Sequence, residues 1–418
     1  MTRPSFFKSG HFPTLLAALL YFDVSFMAWV LLGPLAPFLR EDIGLTATQQ
    51  GLLVAIPLLG GSLFRPLFGA LGDRIGGRRA GLLGLTLTLL PLVIAWKGSP
   101  SLGMLYALGF LLGIAGASFA VALPLASRWY PPEYQGLVMG IAGAGNSGSL
   151  IATLFAPRLA ERFGWTNTFG LMILPVLAVA IVFALLAKDS PRRSAPPAWR
   201  DYAIVLRERD TLWFAFLYSM TFGGFVGFTS FLTTFFHEQY QVTRVSAGDF
   251  TTVVVISGSL LRPLGGWLSD RFGGYRLLLV LLIAISSCFV GVSALPPLPV
   301  VITMLFVGVG LLGMGNGAVF QLVPQRFADR LGIVTGLVGA AGGLGGFFLP
   351  SVLGITKDMT GTYSAGLLAF AALYFVGAVA LLGMGSQWSM RWTPQAIQQS
   401  GIFCYRGVVR KILGFETA

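Results

Sequence analysis

Long apolar runs, many of about 20 residues or more, recur along the whole chain and constrain its fold more than any other feature. Of its 418 residues 55% are hydrophobic and only 11% are charged, whereas a soluble domain has roughly 25% charged residues. So few charges cannot cover a surface that faces water. Because backbone groups in hydrocarbon need internal hydrogen bonds, the runs predict transmembrane α-helices.

Turn residues and charges divide the runs into twelve predicted spans. In chain order they cover residues 12–39, 48–73, 80–96, 101–129, 134–157, 168–188, 211–236, 246–270, 276–296, 298–324, 331–354 and 362–386. We therefore predict an all-α polytopic membrane protein with twelve transmembrane helices.

The basic residues predict an orientation. With the N-terminus in the cytoplasm, 20 of the 28 lysines and arginines fall on the cytoplasmic side. This asymmetry follows the positive-inside rule and predicts a multi-pass protein of the inner (plasma) membrane with both termini cytoplasmic. Topology thus explains the net charge of +12, so we expect the lipid bilayer and no nucleic acid as a partner.

Residues that carry catalysis or bind metals are sparse. The two cysteines, Cys288 and Cys404, and the two histidines, His11 and His237, have no metal-ligand spacing. We therefore expect no catalytic residue, no metal and no cofactor. A membrane enzyme or sensor would need a cluster of such residues or a soluble domain. A channel is a further alternative, but an internal two-fold repeat favours a carrier.

The chain contains an internal repeat. GSLFRPLFGALGDRIGG (61–77) returns as SGSLLRPLGGWLSDRFGG (257–274), which pairs Arg65 with Arg262 at an offset of 197. Two related halves are typical of transporters, whose substrate site lies between them near the membrane midplane. We predict one six-helix bundle in 1–187, a cytoplasmic linker in 188–210, a second bundle in 211–386 and a cytoplasmic tail in 387–418.

The loop that follows each copy carries an Asp-Arg pair among glycines. GALGDRIGGRR (69–79) resembles the loop motif of the major facilitator superfamily, and the second copy lies in the matching loop. We expect Asp73, Arg74, Asp270 and Arg271 to act in gating or packing at the cytoplasmic edge. A tight helix connection alone would also explain them.

Arg65 and Arg262 lie deep in their predicted spans. Arg65 is eight residues before Asp73, and a rise of 1.5 Å per residue places it ~12 Å above the cytoplasmic edge, close to the midplane. Of the 16 acids, only Asp23 sits well inside a span. Two deep guanidinium groups with at most one deep carboxylate predict an anion-binding site, because an unpaired charge in the membrane is costly.

The guanidinium fork suits a planar oxyanion, since it donates paired hydrogen bonds in one plane. Nitrate, nitrite and carboxylates are all planar. Charge alone leaves the choice among these anions open.

Further motifs resemble the nitrate/nitrite porter family of the major facilitator superfamily over nearly the whole chain. They are FDVSFMAWVLLGPLAPFL in span 1, GSLFRPLFG in span 2, AGAGNSGS in span 5, YSMTFGGFVGF in span 7, SLLRPLGGWLSDRFGG in span 8, GMGNGAVFQ in span 10 and GAAGGLGGFFLP in span 11. The resemblance implies a monomeric secondary transporter of nitrate, with nitrite as a further substrate, that works by alternating access.

The resemblance also implies roles for individual residues. Arg65 and Arg262 clamp the anion; Phe119 and Phe222 sandwich it; Tyr218 and Asn146 lie beside it. Packing would explain the two phenylalanines, and helix–helix hydrogen bonding would explain the tyrosine and the asparagine. Ser118 stands where relatives often have asparagine, which leaves a polar contact from that position open.

The glycine-rich motifs of spans 5 and 11 predict close helix packing and sliding. The glycines concerned are Gly143, Gly145, Gly148, Gly342 and Gly345. We expect them to let backbones approach rather than to touch substrate.

Asp23 has two interpretations. As a protonatable carboxylate it would couple nitrate uptake to proton entry; as a static group it would pair with an arginine or with an amide at a helix end. The resemblance favours the proton-coupled branch of the family. A nitrate/nitrite antiporter, or a carrier of another small planar anion such as a carboxylate, is the alternative.

Overall fold

Helices account for almost all of the described backbone. The computed structural model describes residues 6–98, 100–191, 198–327 and 330–402. Its α-helices are α1 Phe12–Val30, α2 Leu32–Ile43, α3 Ala47–Ile75, α4 Gly77–Lys97, α5 Leu102–Gly116, α6 Phe119–Ser127, α7 Pro132–Gly143, α8 Gly148–Phe163, α9 Trp165–Leu186, α10 Trp199–Arg207, α11 Arg209–Tyr240, α12 Arg244–Phe272, α13 Gly274–Ser293, α14 Leu298–Arg326, α15 Leu331–Thr360, α16 Ser364–Arg391 and α17 Pro394–Ser400.

Each of the twelve predicted spans falls on one of these helices or on two consecutive ones, which confirms the all-α prediction. Within the described residues, eleven helical segments are long and apolar enough to cross a membrane. The remaining predicted span is α12. It is 29 residues long, as α3 is, but it has more charged residues, including Arg262. It packs mainly against α14 and α8 and so lies among the other helices.

Three spans of the first half are interrupted, whereas their partners in the second half are continuous. Span 1 changes from α1 to α2 at Leu31, and span 4 changes from α5 to α6 at Ala117 and Ser118. Span 5 contains a short 3-10 helix, Ala144–Ser147, between α7 and α8. Such tighter turns release carbonyl groups from the regular helical pattern.

The repeat extends to the backbone conformation of the helix connections. Left-handed or related positive φ values occur at Gly44 and Gln241, at Gly76 and Gly273, and at Gly164 and Gly361. Each pair is separated by 197 residues, the same offset as Arg65 and Arg262. The two halves therefore turn their chains in the same way at three matching corners.

The main contacts between the halves are made by three helix pairs: α3 packs on α15, α8 on α12, and α2 on α11. They are pairs related by the repeat, since α3 and α12 match, as do α8 and α15. The exact boundaries of the predicted bundles, linker and tail stay predictions. Residues 192–197 of the linker and 403–418 of the tail lie outside the described residues.

At one end of the bundle, polar contacts join the two halves. Arg40 forms an ion pair with Glu238, and Arg244 with Glu41 at 2.8 Å. A third cross-half ion pair joins Arg158 to Asp249 at 2.7 Å. Asp358 of the second half accepts hydrogen bonds from the first amides of α3, at Ala47 and Thr48. We call this the closed end.

The opposite end carries the Asp-Arg loop motif, and we call it the motif end. The ion pairs described there stay within a half: Arg128 binds Asp73 at 2.5 Å, and Arg326 binds Asp210 at 2.6 Å. α7 packs mainly against α1 and α6 of its own half. A Cβ atom added at Gly140 of α7 or at Gly336 of α15 would meet nothing within 4 Å.

Candidate anion site

Arg65 lies in the interior with 1% of its surface exposed. Its Nε donates to the carbonyl of Gly116 at 3.0 Å, and its Nη1 donates to the carbonyl of Gly339 at 2.5 Å. Gly116 is the last residue of α5, so the interruption of span 4 makes its carbonyl available. Both partners are neutral, so the protein groups described here solvate the charge of Arg65 without cancelling it.

Three aromatic rings surround the Arg65 guanidinium. Its carbon lies 5.0 Å from the ring centre of Trp29, 5.5 Å from that of Phe119 and 5.1 Å from that of Phe222. Such cation–π contacts stabilise a desolvated guanidinium by about 2 kcal/mol. The structure thus brings the two predicted phenylalanines to the predicted arginine, one ring from each half.

Sequence reasoning did not single out Trp29 for this role. The indole fits because two neighbouring helices carry glycine where it passes: a Cβ at Gly61 would lie 2.7 Å from the ring, and one at Gly116 would lie 2.4 Å from it. Its Nε1 donates to the carbonyl of Pro57 at 2.7 Å, which fixes the ring. The FMAW segment and the two glycines were visible signals, but nothing in the sequence showed that they meet.

Arg262 and Tyr218 complete the group from the second half. Arg262 reaches Tyr218 with a side-chain hydrogen bond, and both residues interact electrostatically with Arg65. The ring of Tyr218 stacks on that of Phe222 at 5.2 Å with an interplanar angle of 7°. The two predicted arginines therefore lie in one site, with the tyrosine beside both.

Two buried guanidinium N–H groups in the site have no acceptor among the described residues. They are Nη2 of Arg65 and Nη1 of Arg262. A buried donor without a partner costs about 1–3 kcal/mol, and more when it is charged. An anion between the arginines would satisfy both donors, which is the chemistry that this arrangement fits best. In the 3-10 segment of span 5, the buried Nδ2 of Asn146 also lacks an acceptor among the described residues.

Asp23 lies against the 3-10 segment of span 5. Its carboxylate accepts a hydrogen bond from the Ser147 hydroxyl at 2.6 Å and one from the backbone of Gly148, the first residue of α8. An amide at a helix start is a partner that the static interpretation predicts, but these contacts do not test proton coupling, so the choice between the two interpretations of Asp23 stays a prediction. Asn146 precedes Ser147, so Asp23 holds the segment that carries a candidate substrate-binding residue.

Four of the five glycines in spans 5 and 11 allow close approach. A Cβ at Gly148 would lie 2.0 Å from the carbonyl oxygen of Asp23, and one at Gly345 would lie 2.1 Å from that of Ser219. Gly145 contacts α1 in the same way, and Gly342 lies against the rings of Tyr218 and Phe222. Gly143 faces open space.

The Asp-Arg pairs lie away from the arginine site, at the motif end. Asp73 binds Arg128 from the end of span 4. Arg74 lies next to Asp73 at the end of α3. In the second half, Asp270 and Arg271 are exposed, and the loop is instead held by Gln321, which accepts a hydrogen bond from the Gly274 amide.

Residues 17–350 match the family model of the Major Facilitator Superfamily. The chain belongs to the Major Facilitator Superfamily. Within it, the chain is 37% identical over 361 residues to the probable nitrate/nitrite transporter NarK2 of Mycobacterium tuberculosis, covering 84% of this chain and 91% of that protein. It is 34% identical to the nitrite extrusion protein of Bacillus subtilis, covering 90% and 95%. These relatives confirm the resemblance to the nitrate/nitrite porter family.

A solved superfamily structure supports the fold. The crystal structure of a D-xylose-proton symporter superimposes with a TM-score of 0.74 at 16% identity, covering 92% of this chain and 98% of that one. This chain is therefore a multi-pass membrane transporter of the Major Facilitator Superfamily rather than an enzyme. Among the described residues no group of three or more His, Cys, Asp or Glu could hold a metal ion.

Proposed function

We propose that this transporter carries nitrate across the plasma membrane and that Arg65 and Arg262 hold the anion between the two halves. The observation that carries the proposal is the pair of buried guanidinium N–H groups, one from each half, that lack acceptors among the described residues. Nitrate offers three oxygens in one plane, which can accept from both guanidinium groups. Similarity to transporters named for nitrate and nitrite supports this choice of anion.

We propose further roles for the groups around this pair. Phe119 and Phe222 cover the faces of the anion, and Tyr218 and Asn146 contact its oxygens. The supporting geometry is the position of both rings on Arg65, the contact of Tyr218 with Arg262, and the free amide nitrogen of Asn146.

The proposed transport mechanism is alternating access with a monomer as the unit. If the motif end is cytoplasmic, as the charge asymmetry predicts, both termini are cytoplasmic and the structure is inward-facing. The closed end is then external, with its ion pairs between halves. The glycines of spans 5 and 11 pack these helices closely on α1 and α11 of their own halves, so each half rocks against the other as a tightly packed unit.

Coupling to protons is part of the proposal, with Asp23 as the carboxylate. Protonation of Asp23 would weaken its hydrogen bonds with Ser147 and Gly148, and these residues follow Asn146 directly in the chain. A change of charge at Asp23 would therefore alter the position of Asn146, which we propose contacts the anion. The second candidate is nitrate/nitrite exchange, and the similarity to a nitrite extrusion protein supports nitrite as one of its two substrates.

Proteoliposomes containing the purified protein separate the candidates. Proton symport requires an inward pH gradient to drive nitrate accumulation without internal nitrite. Exchange requires internal nitrite, and its rate of nitrate uptake does not depend on the pH gradient. Formate and bicarbonate, added as competitors of labelled nitrate uptake, test the carrier of another planar anion. If both inhibit this uptake strongly and unlabelled nitrate inhibits it only weakly, nitrate is not the cargo.

A further inference from the structure

Asn316, in the middle of α14, is buried with 1% of its surface exposed. Neither its Oδ1 nor its Nδ2 has a hydrogen-bond partner among the described residues. Because both atoms are free, exchanging the amide oxygen and nitrogen would not change this observation. A buried carboxamide with two unsatisfied atoms destabilises the protein unless something else occupies its hydrogen bonds.

The neighbours of Asn316 place it beside the arginine site. The next residue, Gly317, packs so closely on α12 that a Cβ there would lie 2.7 Å from the carbonyl oxygen of Arg262. The preceding residue, Gly315, contacts Thr221 of α11, which is adjacent to Phe222. Asn316 therefore lies on α14 at the depth of Arg262 and Phe222.

Phe320 fixes the direction in which this face of α14 points. Residues four apart lie on one face of a helix, so Phe320 is one turn beyond Asn316 on the same side. The ring of Phe320 packs edge-on against Tyr218 at 4.8 Å. Tyr218 in turn is held by Arg262. The face that carries Asn316 thus leads directly to the tyrosine of the anion site.

We propose that Asn316 is a further anion-binding residue, which donates its amide N–H to an oxygen of the carried anion. This inference rests on the proposed function. The amide adds a donor without adding charge, and its oxygen offers an acceptor to a guanidinium N–H of the same site. The carboxamide therefore aligns a planar oxyanion between the arginines instead of attracting it.

Replacement of Asn316 by leucine tests the role, because leucine has a similar volume and leaves no polar atom unsatisfied. We expect the Asn316→Leu protein to melt at the same temperature as the wild type or higher without ligand. We also expect about a tenfold rise in KM for nitrate, as one hydrogen bond to an anion is lost. Its stabilisation by nitrate in a melting assay should shift to higher nitrate concentration by the same factor.

Thr211→Val provides a matched control. Thr211 lies in the same half, is 1% exposed, and has a hydroxyl without a partner among the described residues, but it is two helical turns from Tyr218. The valine variant should melt at the same temperature or higher, as Asn316→Leu does, and keep the wild-type KM. A rise in KM in both variants would assign the effect to packing and overturn the proposal.

Asn316→Asp tests the location independently. A carboxylate of the same shape would compete with nitrate for the guanidinium donors, so uptake should fall at least a hundredfold while the protein still folds. The serine variant, Asn316→Ser, is its uncharged control and should raise KM without this large loss of uptake. If the Asn316→Leu protein does not accumulate in the membrane, Asn316→Ser takes its place in the measurements of KM and melting.

The outcomes distinguish this inference from the proposed function. If wild-type protein neither binds nor transports nitrate, both fall. If wild-type protein responds to nitrate and Asn316→Leu responds with an unchanged KM and an unchanged melting shift, only the role of Asn316 is wrong. Nitrate uptake by Asn316→Asp at the rate of the wild type would also overturn the proposed role of Asn316.

Discussion

The Ser147 hydroxyl donates a hydrogen bond of 2.6 Å to the carboxylate of Asp23, and this contact ties span 1 to the 3-10 segment of span 5. Its position next to Asn146 makes Asp23 the natural place to test proton coupling. The asparagine variant keeps the shape and still accepts the hydrogen bond from Ser147, but it cannot be ionised.

For Asp23→Asn we therefore expect retained exchange of external for internal nitrate together with loss of accumulation driven by a pH gradient. Ser147→Ala keeps the ionisable group and should lower the rates of both processes together, by roughly ten- to a hundredfold, because one hydrogen bond of about 1.5–3 kcal/mol to a charged acceptor is lost. Accumulation by Asp23→Asn that still follows the pH gradient would exclude Asp23 as the coupling group.

Arg65→Lys and Arg262→Lys keep the charge but remove the planar fork. We expect each to reduce nitrate uptake by ten- to a hundredfold or more, since hydrogen bonds to charged groups contribute about 1.5–3 kcal/mol. Uptake of labelled nitrate into proteoliposomes measures the loss. Arg162→Lys, at an exposed site beside Phe163, is the control and should transport normally. Near-normal uptake by either site variant would contradict the clamp.

The ion pair between Arg40 and Glu238 holds the closed end together, and Tyr363 adds a hydrogen bond of 2.6 Å to the same carboxylate. Glu238→Gln should shift the protein toward a form open at that end by about fivefold, equivalent to ~1 kcal/mol for a partly exposed pair. Labelling of Thr234→Cys by an impermeant maleimide reports the shift, because Thr234 is fully buried there.

The cysteine variant should be made with Cys288 and Cys404 replaced, so that the reagent reports a single position. Glu161→Gln changes an exposed acid at the same end and should leave labelling unchanged. Equal labelling rates with and without Glu238 would show that other contacts keep this end closed.

Gly345→Ala and Gly143→Ala form a matched pair. At Gly345 the new methyl group would meet backbone oxygen of Ser219 at 2.1 Å, whereas at Gly143 it would meet nothing within 4 Å. Because the methyl group would clash with the backbone of a neighbouring helix, the two helices must move apart. We therefore expect Gly345→Ala to lower the free energy of unfolding by about 1–3 kcal/mol and to reduce uptake. Gly143→Ala should melt like the wild type. A lower melting temperature only for Gly143→Ala would reverse this assignment.

Much of the helical framework follows from the sequence because the physical requirements of a bilayer are strong. Apolar length predicted every span, and the offset between Arg65 and Arg262 predicted that the two halves are related. The contacts of individual side chains were harder to predict. Spans that are apolar on every side do not show which face packs on which neighbour, so the slot for Trp29 between Gly61 and Gly116 could not be foreseen.

Partners in the backbone were equally hidden. The carbonyl of Gly116 accepts from Arg65 because span 4 changes pitch after it, and no residue type there announces this change. The second carbonyl, that of Gly339, belongs to a helix of the other half and depends on how the halves meet. Asn316 was visible within GMGNGAVFQ, but its lack of partners is a property of the folded protein.

The carbonyl partners of Arg65 have an electrical consequence. Dipoles leave the full charge of a guanidinium in place, so an empty carrier holds net positive charge in the middle of the membrane, and one bound anion removes one unit. Moving an elementary charge through the field involves about 2.3 kcal/mol per 100 mV. Membrane voltage should therefore act more strongly on the reorientation of the empty carrier than on that of a carrier with a bound anion and an ionised Asp23, and protonation of Asp23 should restore the dependence on voltage.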